Sequence, residues 1–184
     1  ASAKLDKRIV GQTLKEIAQR VSMSPEATIL EILKINSLNI TFFGRTITAK
    51  NLIMASRHKD SVLASDGAGY DVEFQKTGDL VHPRSFGAYP RFYSVIAPKA
   101  NLKPEEAIEK MTSFPAKILG LKDRGRLNKN FLADILVFDE QGFRDKATYT
   151  NPFRFSEGMK SVIVNGNLVF DEGNAGQIVR KGIV

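Results

Sequence analysis

Along residues 13–35 the apolar positions recur at helical spacing, and polar residues mark where each run begins. Thr13 and Glu16 stand in capping-box spacing at the head of an apolar stripe made by Leu14, Ile17, Ala18 and Val21. Ser24 followed by Pro25 predicts a second helix start, which carries Ala27, Ile29, Leu30, Ile32 and Leu33 into a core. Residues 38–43 are then rich in β-branched and aromatic side chains, and Gly44 stops them, the pattern of a strand. Thr48 predicts the cap of a third helix that runs to about His58 and buries Leu52, Ile53 and Met54. Directly afterwards, residues 61–65 predict a short strand around Val62-Leu63-Ala64, ended by Ser65-Asp66-Gly67. Strands separated by a helix of this length predict a parallel crossover, with Gly44 and Asp66 side by side at the carboxyl edge of the sheet.

From Gly67 to Asn101 the period is lost and the composition turns to Gly, Pro, Tyr and Phe, which predicts a long functional loop. Pro104 opens a helix through about Lys110, with Ala107, Ile108 and Met111 facing inward. A shorter helical piece surrounds Pro115 and closes at Gly120. Beyond Gly125 the pattern is β. Residues 133–139 predict a strand, and residues 161–170 a hairpin around Asn165-Gly166. The tail is therefore expected to form a small sheet of its own.

Composition narrows the function classes. Of the 184 residues 42% are hydrophobic and 26% charged, so the chain is expected to fold. No apolar run approaches the roughly 18 residues that cross a bilayer, and the first residues lack a signal-peptide pattern, so no membrane partner is expected. The absence of cysteine excludes disulfides and thiolate ligands from this chain and fits a reducing, cytoplasmic compartment. The net charge of +7 raises nucleic acid as a partner. The basic residues are scattered and no nucleic-acid motif accompanies them, so a solvated basic surface that attracts anionic small molecules is the better reading.

Asp66 is the candidate for chemistry, because a carboxylate at the open end of a buried strand is where parallel α/β folds place catalytic groups. A full barrel of that kind needs about 250 residues. With only two strands ahead of the β tail, the chain is expected to be the carboxyl-terminal portion of a larger protein, or to cover its sheet edges by self-association.

Five motifs in order carry a resemblance. They are Ser65-Asp66-Gly67, His82-Pro83-Arg84 with Tyr89-Pro90-Arg91, Met111-Thr112-Ser113 running into Leu119-Gly120-Leu121-Lys122-Asp123-Arg124-Gly125-Arg126, Ala133-Asp134-Ile135-Leu136-Val137-Phe138-Asp139, and Val164-Asn165-Gly166. Together they resemble the end of the N-acyl-D-amino-acid deacylases (D-aminoacylases) of the amidohydrolase superfamily. The last two motifs are common to many amidohydrolases, whereas the Ser-Asp-Gly and His-Pro-Arg pair is narrower.

The resemblance implies an α/β fold: residues 1–126 as the carboxyl-terminal part of a metal-dependent (β/α)8 barrel with its active-site loop at 67–101, and residues 127–184 as part of a small β-sandwich. It implies that Asp66 is catalytic, moving a proton from zinc-bound water to the leaving amine, and is secondarily a possible metal ligand. Arg84 is implied to bind the carboxylate of an N-acyl-D-amino acid, and His82 either to organise that loop or to touch substrate. His58 is expected to face solvent at a helix end, and Arg124 and Arg126 to lie at a surface or domain junction. The family's cysteine and His-x-His ligands have no counterpart here, so zinc is expected in the full-length enzyme but not to bind tightly to this chain alone. The isolated chain is accordingly expected to be inactive. Its expected partners are the substrate and the remainder of the barrel. Two rivals remain: an amidohydrolase for another amide or cyclic amide, and a non-catalytic interaction module of the same fold.

Overall fold

The computed structural model describes residues 2–3 and 6–174. In chain order its elements are β1 (Ser2–Ala3), α1 (Leu14–Val21), α2 (Pro25–Ile35), β2 (Ile40–Thr41), α3 (Ala49–Arg57), α4 (Arg84–Arg91), α5 (Ala97–Lys99), α6 (Pro104–Met111), α7 (Ser113–Ile118), β3 (Ile135–Phe138), β4 (Met159–Val164) and β5 (Asn167–Asp171). They fall into two compact units. The first holds the described residues up to Thr46, with Gly67–Phe86 and Ala147–Arg154. The second holds Ile47–Asp66, Gly87–Lys146 and the described residues from Phe155 onward.

In the first unit, α1 and α2 start where the polar markers lie. Thr13 accepts the Glu16 amide through its hydroxyl while the Glu16 carboxylate accepts the Thr13 amide at 2.7 Å, so two otherwise orphaned donors are satisfied together. Ser24 caps α2 through the Ala27 amide, with Pro25 in its first turn. Ile9, Ile17 and Ile32 form the core, backed by Val10, Leu14 and Ile40. The buried face of α2 is Thr28, Ile32 and Asn36, spaced by four, which leaves Leu30 on the opposite side at 67% exposed rather than in the core. The buried Asn36 amide donates to the Ile32 carbonyl and accepts from the Asp6 amide, so its polar atoms are answered.

The second unit is built on small residues. Ala97 and Ala107 let their helices approach closely around Phe92, with Leu63, Tyr93, Ile96, Leu102 and Met111 packed against them. Thr48 caps α3 as expected from its sequence. The face that α3 buries carries Ser56, however, and Leu52 and Met54 are exposed, Met54 at 64%. That inward face is secured by polar contacts, the Ser56 hydroxyl donating to the Leu52 carbonyl and the Arg57 guanidinium to the Ala100 carbonyl.

Three expectations about the middle of the chain are overturned. Residues 61–65 belong to no strand, because Leu63 bonds the helix-end carbonyl of Lys110 instead of a neighbouring ladder. The β2 segment shrinks to two residues and pairs antiparallel with β1, so no parallel pair occurs among the described residues. The segment 67–101 is largely helical, with a 3-10 helix at Val72–Thr77 and a run from α4 through a π-helical stretch, Phe92–Ile96, into α5. Its helical period is hidden by Pro90 and Pro98. Pro98 has no N–H for the Ser94 carbonyl, and the Ala97 amide bonds the Phe92 carbonyl across a wider turn.

The tail forms the expected sheet, ordered β3-β4-β5 and antiparallel throughout. Asn165 and Gly166 both take positive φ, 49° and 77°, the conformation of a two-residue hairpin turn. The Asp134 carboxylate accepts the Asn165 amide at 2.8 Å and pairs with Arg124, whose other nitrogen donates to the Asn165 side chain at 2.7 Å. These contacts hold the Asp134 carboxyl below its usual range, the Asn165 amide contributing most. The strand accordingly begins at Ile135, not at residue 133.

Two expected outcomes follow from these contacts. Asp134→Ala leaves the turn amide without its acceptor and lowers stability by about 1 kcal/mol at this partly exposed site, measured by denaturant unfolding. The Glu16 carboxyl is held below its ordinary value, chiefly by the Thr13 amide. Its contribution to α1 is therefore complete above the unfolded carboxyl value of about 4.3 and lost as pH falls through the lower folded value. Protection of the Thr13 amide against hydrogen exchange, taken relative to the intrinsic rate at each pH, falls on acidification in the native chain, and Glu16→Gln abolishes that dependence.

Candidate functional site

Lys110 ties the stretch that precedes Asp66 to α6. Lys110 lies at the end of α6 on the same face as Ala107 and is only 7% exposed. Its ammonium donates to the His58 carbonyl at 2.7 Å, the Ser61 carbonyl at 3.0 Å and the Ser61 hydroxyl at 3.0 Å. Three donors meet three acceptors, which is what a buried cation requires. The Lys110 carbonyl also accepts the Leu63 amide at 3.1 Å. Residues 58–63 are thus tied to α6, and the chain runs outward from there to Asp66.

Asp66 is exposed and adopts φ 47°, a left-handed backbone uncommon for any residue but glycine and tolerated best by Asp and Asn. The chain turns here, and Gly67 continues into the first unit. A Cβ on Gly67 would stand 2.9 Å from the Ser85 backbone, so only glycine fits against the start of α4.

His82 and Arg84 sit together in the first unit. The imidazole Nδ1 accepts the Arg84 backbone amide at 3.1 Å, and Nε2 lies 3.2 Å from the hydroxyl of Tyr149. The ring packs edge-on against Phe43 at 5.5 Å and against Tyr149 at 5.1 Å. One nitrogen of His82 thus meets the Arg84 turn and the other the Tyr149 hydroxyl. Arg84 itself is exposed.

Four other polar residues have local partners. His58 is exposed and ends α3, accepting the Asp60 amide at Nδ1. Arg91 pairs with Asp145 at 3.0 Å. Tyr93 contacts Glu140, and burial together with that carboxylate pushes its phenol up. Arg124 serves the β-sheet turn. Among the described residues no group of three or more His, Cys, Asp or Glu side chains could hold a metal, and no helix is long and apolar enough to cross a membrane.

Two site residues were not singled out from the sequence. Lys110 had a signal, since a lysine three residues after Ala107 lies on the apolar side of its helix. Tyr149 had none, because its 67-residue separation from His82 is closed only by folding.

The model of the family described as "Amidohydrolase family" matches residues 12–169. The chain belongs to the amidohydrolase family. This amidohydrolase is similar to the N-acyl-D-glutamate deacylase of Alcaligenes xylosoxydans xylosoxydans, 35% identical over 130 residues that make up 68% of this chain and 25% of that protein. Among solved structures, the N-acyl-D-glutamate deacylase of Bordetella bronchiseptica, complexed with zinc and a phosphonate mimic of the tetrahedral intermediate, matches with TM-score 0.73. That match has 25% identity and covers 98% of this chain and 36% of the deacylase. A D-aminoacylase with a binuclear metal center matches with TM-score 0.76 at 25% identity, over 98% of this chain and 35% of its own. The amidohydrolase thus spans between a quarter and just over a third of the length of these relatives. Metal belongs to those proteins; the residues described here do not by themselves fit one.

Lys110→Met tests the anchoring of the Asp66 segment. Removing the ammonium takes a donor from the Ser61 carbonyl, while the His58 carbonyl keeps the Ser61 amide and hydroxyl, and lowers stability by about 1 kcal/mol in denaturant unfolding. The Leu63 amide loses its exchange protection more than the amides of β4, which would move equally if the loss were only global.

Proposed function

We propose that residues 1–126 form the last strands and helices of a metal-dependent (β/α)8 hydrolase barrel, and that residues 127–184 belong to a small β-sandwich beside it. The reaction is hydrolysis of the acyl amide of N-acyl-D-amino acids. The observation that carries this reading is the likeness to N-acyl-D-glutamate deacylase over 130 residues. The geometry of the chain's own residues is consistent with it.

In this reading the exposed Asp66 carboxylate takes a proton from the attacking water and returns it to the leaving amine. Arg84 binds the substrate carboxylate with a permanently charged planar fork. His82 holds the backbone of that arginine and so orients it. Zinc dependence comes to the proposal from the resemblance and requires donors that the described residues do not supply, so none of these roles passes through a metal.

Assembled with a complete barrel and supplied with zinc, the protein is expected to release D-glutamate from N-acetyl-D-glutamate, whereas the 184 residues alone release none. Asp66→Asn lowers kcat by about 10²- to 10⁴-fold, and Arg84→Ala raises KM by about tenfold or more. Unchanged turnover in Asp66→Asn removes the catalytic reading and leaves a non-catalytic module. Hydrolysis of the D-substrate that survives Arg84→Ala points to an amidohydrolase for a different amide or cyclic amide.

A further inference from the structure

We propose that Asn165-Gly166 is a latent deamidation site, and that Arg124 and Asp134 keep it unreactive by holding the hairpin turn closed. This chemistry is independent of the deacylase reading, since water is its only co-reactant.

Asn165 is the one asparagine of the chain that precedes a glycine. Such a pair can react with itself. The Gly166 nitrogen, having given its proton to hydroxide, attacks Cγ of Asn165, and the bond from Cγ to the side-chain nitrogen breaks. That nitrogen takes a proton from water and leaves as ammonia, which returns the hydroxide. The cyclic imide then takes up water and opens to aspartate or isoaspartate, so that a water enters for each ammonia released. Space does not hinder the attack: both residues are exposed, and a Cβ on Gly166 would meet no atom within 4 Å beyond its chain neighbours.

In the folded chain both reacting groups are engaged. The Gly166 amide donates to the Ala133 carbonyl at 3.0 Å. Deprotonation would break that bond and leave a negative nitrogen facing a carbonyl oxygen. The Asn165 side chain is held by its oxygen, because Arg124 has only donors and reaches it at 2.7 Å. The Asn165 backbone amide donates to Asp134 at 2.8 Å, and the same carboxylate pairs with Arg124. A guanidinium on the side-chain oxygen also draws electrons from Cγ, which by itself favours attack. Geometry outweighs it: polarisation counts only once the nitrogen is free and can reach Cγ, and both conditions require the turn to open. Reaction therefore passes through the opened turn, and each contact that closes the turn slows it. Either product sets a second carboxylate near Asp134, and isoaspartate also lengthens the backbone of a two-residue turn.

The full chain is incubated under mildly alkaline conditions, and the peptide holding residue 165 is followed by mass spectrometry for exchange of its amide for a carboxyl. The native chain reacts at least about tenfold more slowly than the same chain unfolded in guanidinium chloride, and Arg124→Ala raises the native rate by about tenfold. Exchange protection of the β4 amides in Arg124→Ala establishes that the sheet is still formed. Lys110→Met lowers stability without touching the turn, and it leaves the rate at residue 165 near that of the native chain. Equal rates in native and unfolded chains overturn the proposal, as does equal acceleration by Lys110→Met and Arg124→Ala, which would make the protection global. A rate in Arg124→Ala at or below the native one also overturns it, a slower rate meaning that the guanidinium activates Cγ.

Discussion

A lysine ammonium buried among carbonyls ties the stretch that precedes Asp66 to α6. Extended chain normally draws its order from a neighbouring strand, whose ladder satisfies each amide and fixes each side chain's direction. Residues 61–65 have no ladder. Their order comes instead from Lys110, which answers two carbonyls and a hydroxyl between His58 and Ser61, and from its own carbonyl, which takes the Leu63 amide. Placing a charge in the interior is costly unless its donors are met. Here they are met by the backbone of the segment being positioned, so the requirement of the lysine and the requirement of the chain are satisfied by the same contacts.

The first unit uses an imidazole in a similar way. His82 joins a backbone amide at Arg84 to a side chain that arrives 67 residues later, and two aromatic rings keep its plane fixed. A histidine in a recurring motif invites reading as a ligand or a proton carrier. Its geometry here ties the Arg84 backbone to the Tyr149 side chain.

Arg124, Asp134 and Asn165 come from three separate motifs and converge on one hairpin turn, where a single carboxylate receives both the turn amide and the guanidinium. This network orders the small sheet. Gly67 of the Ser-Asp-Gly motif instead faces Ser85, the residue after His82-Pro83-Arg84, where the lack of a side chain on Gly67 admits the start of α4. These stretches thus do different physical work, one ordering the small sheet and the other letting the chain pass close to α4.

What the sequence by itself determined was local. Thr13, Ser24 and Thr48 each sit where an amide three residues on needs an acceptor, and Asn165-Gly166 is suited to the positive φ of a hairpin turn. Those elements appear where their short-range chemistry places them. Tertiary structure alone decided that residues 61–65 would lean on α6 rather than join a sheet, that Pro90 and Pro98 would be absorbed in a helical run, and that Tyr149 would reach His82. The physical reason is range. Caps and turns are settled by atoms within four residues, whereas a strand's partner, a buried lysine's acceptors and a hydroxyl's neighbour are supplied by chain dozens of residues away.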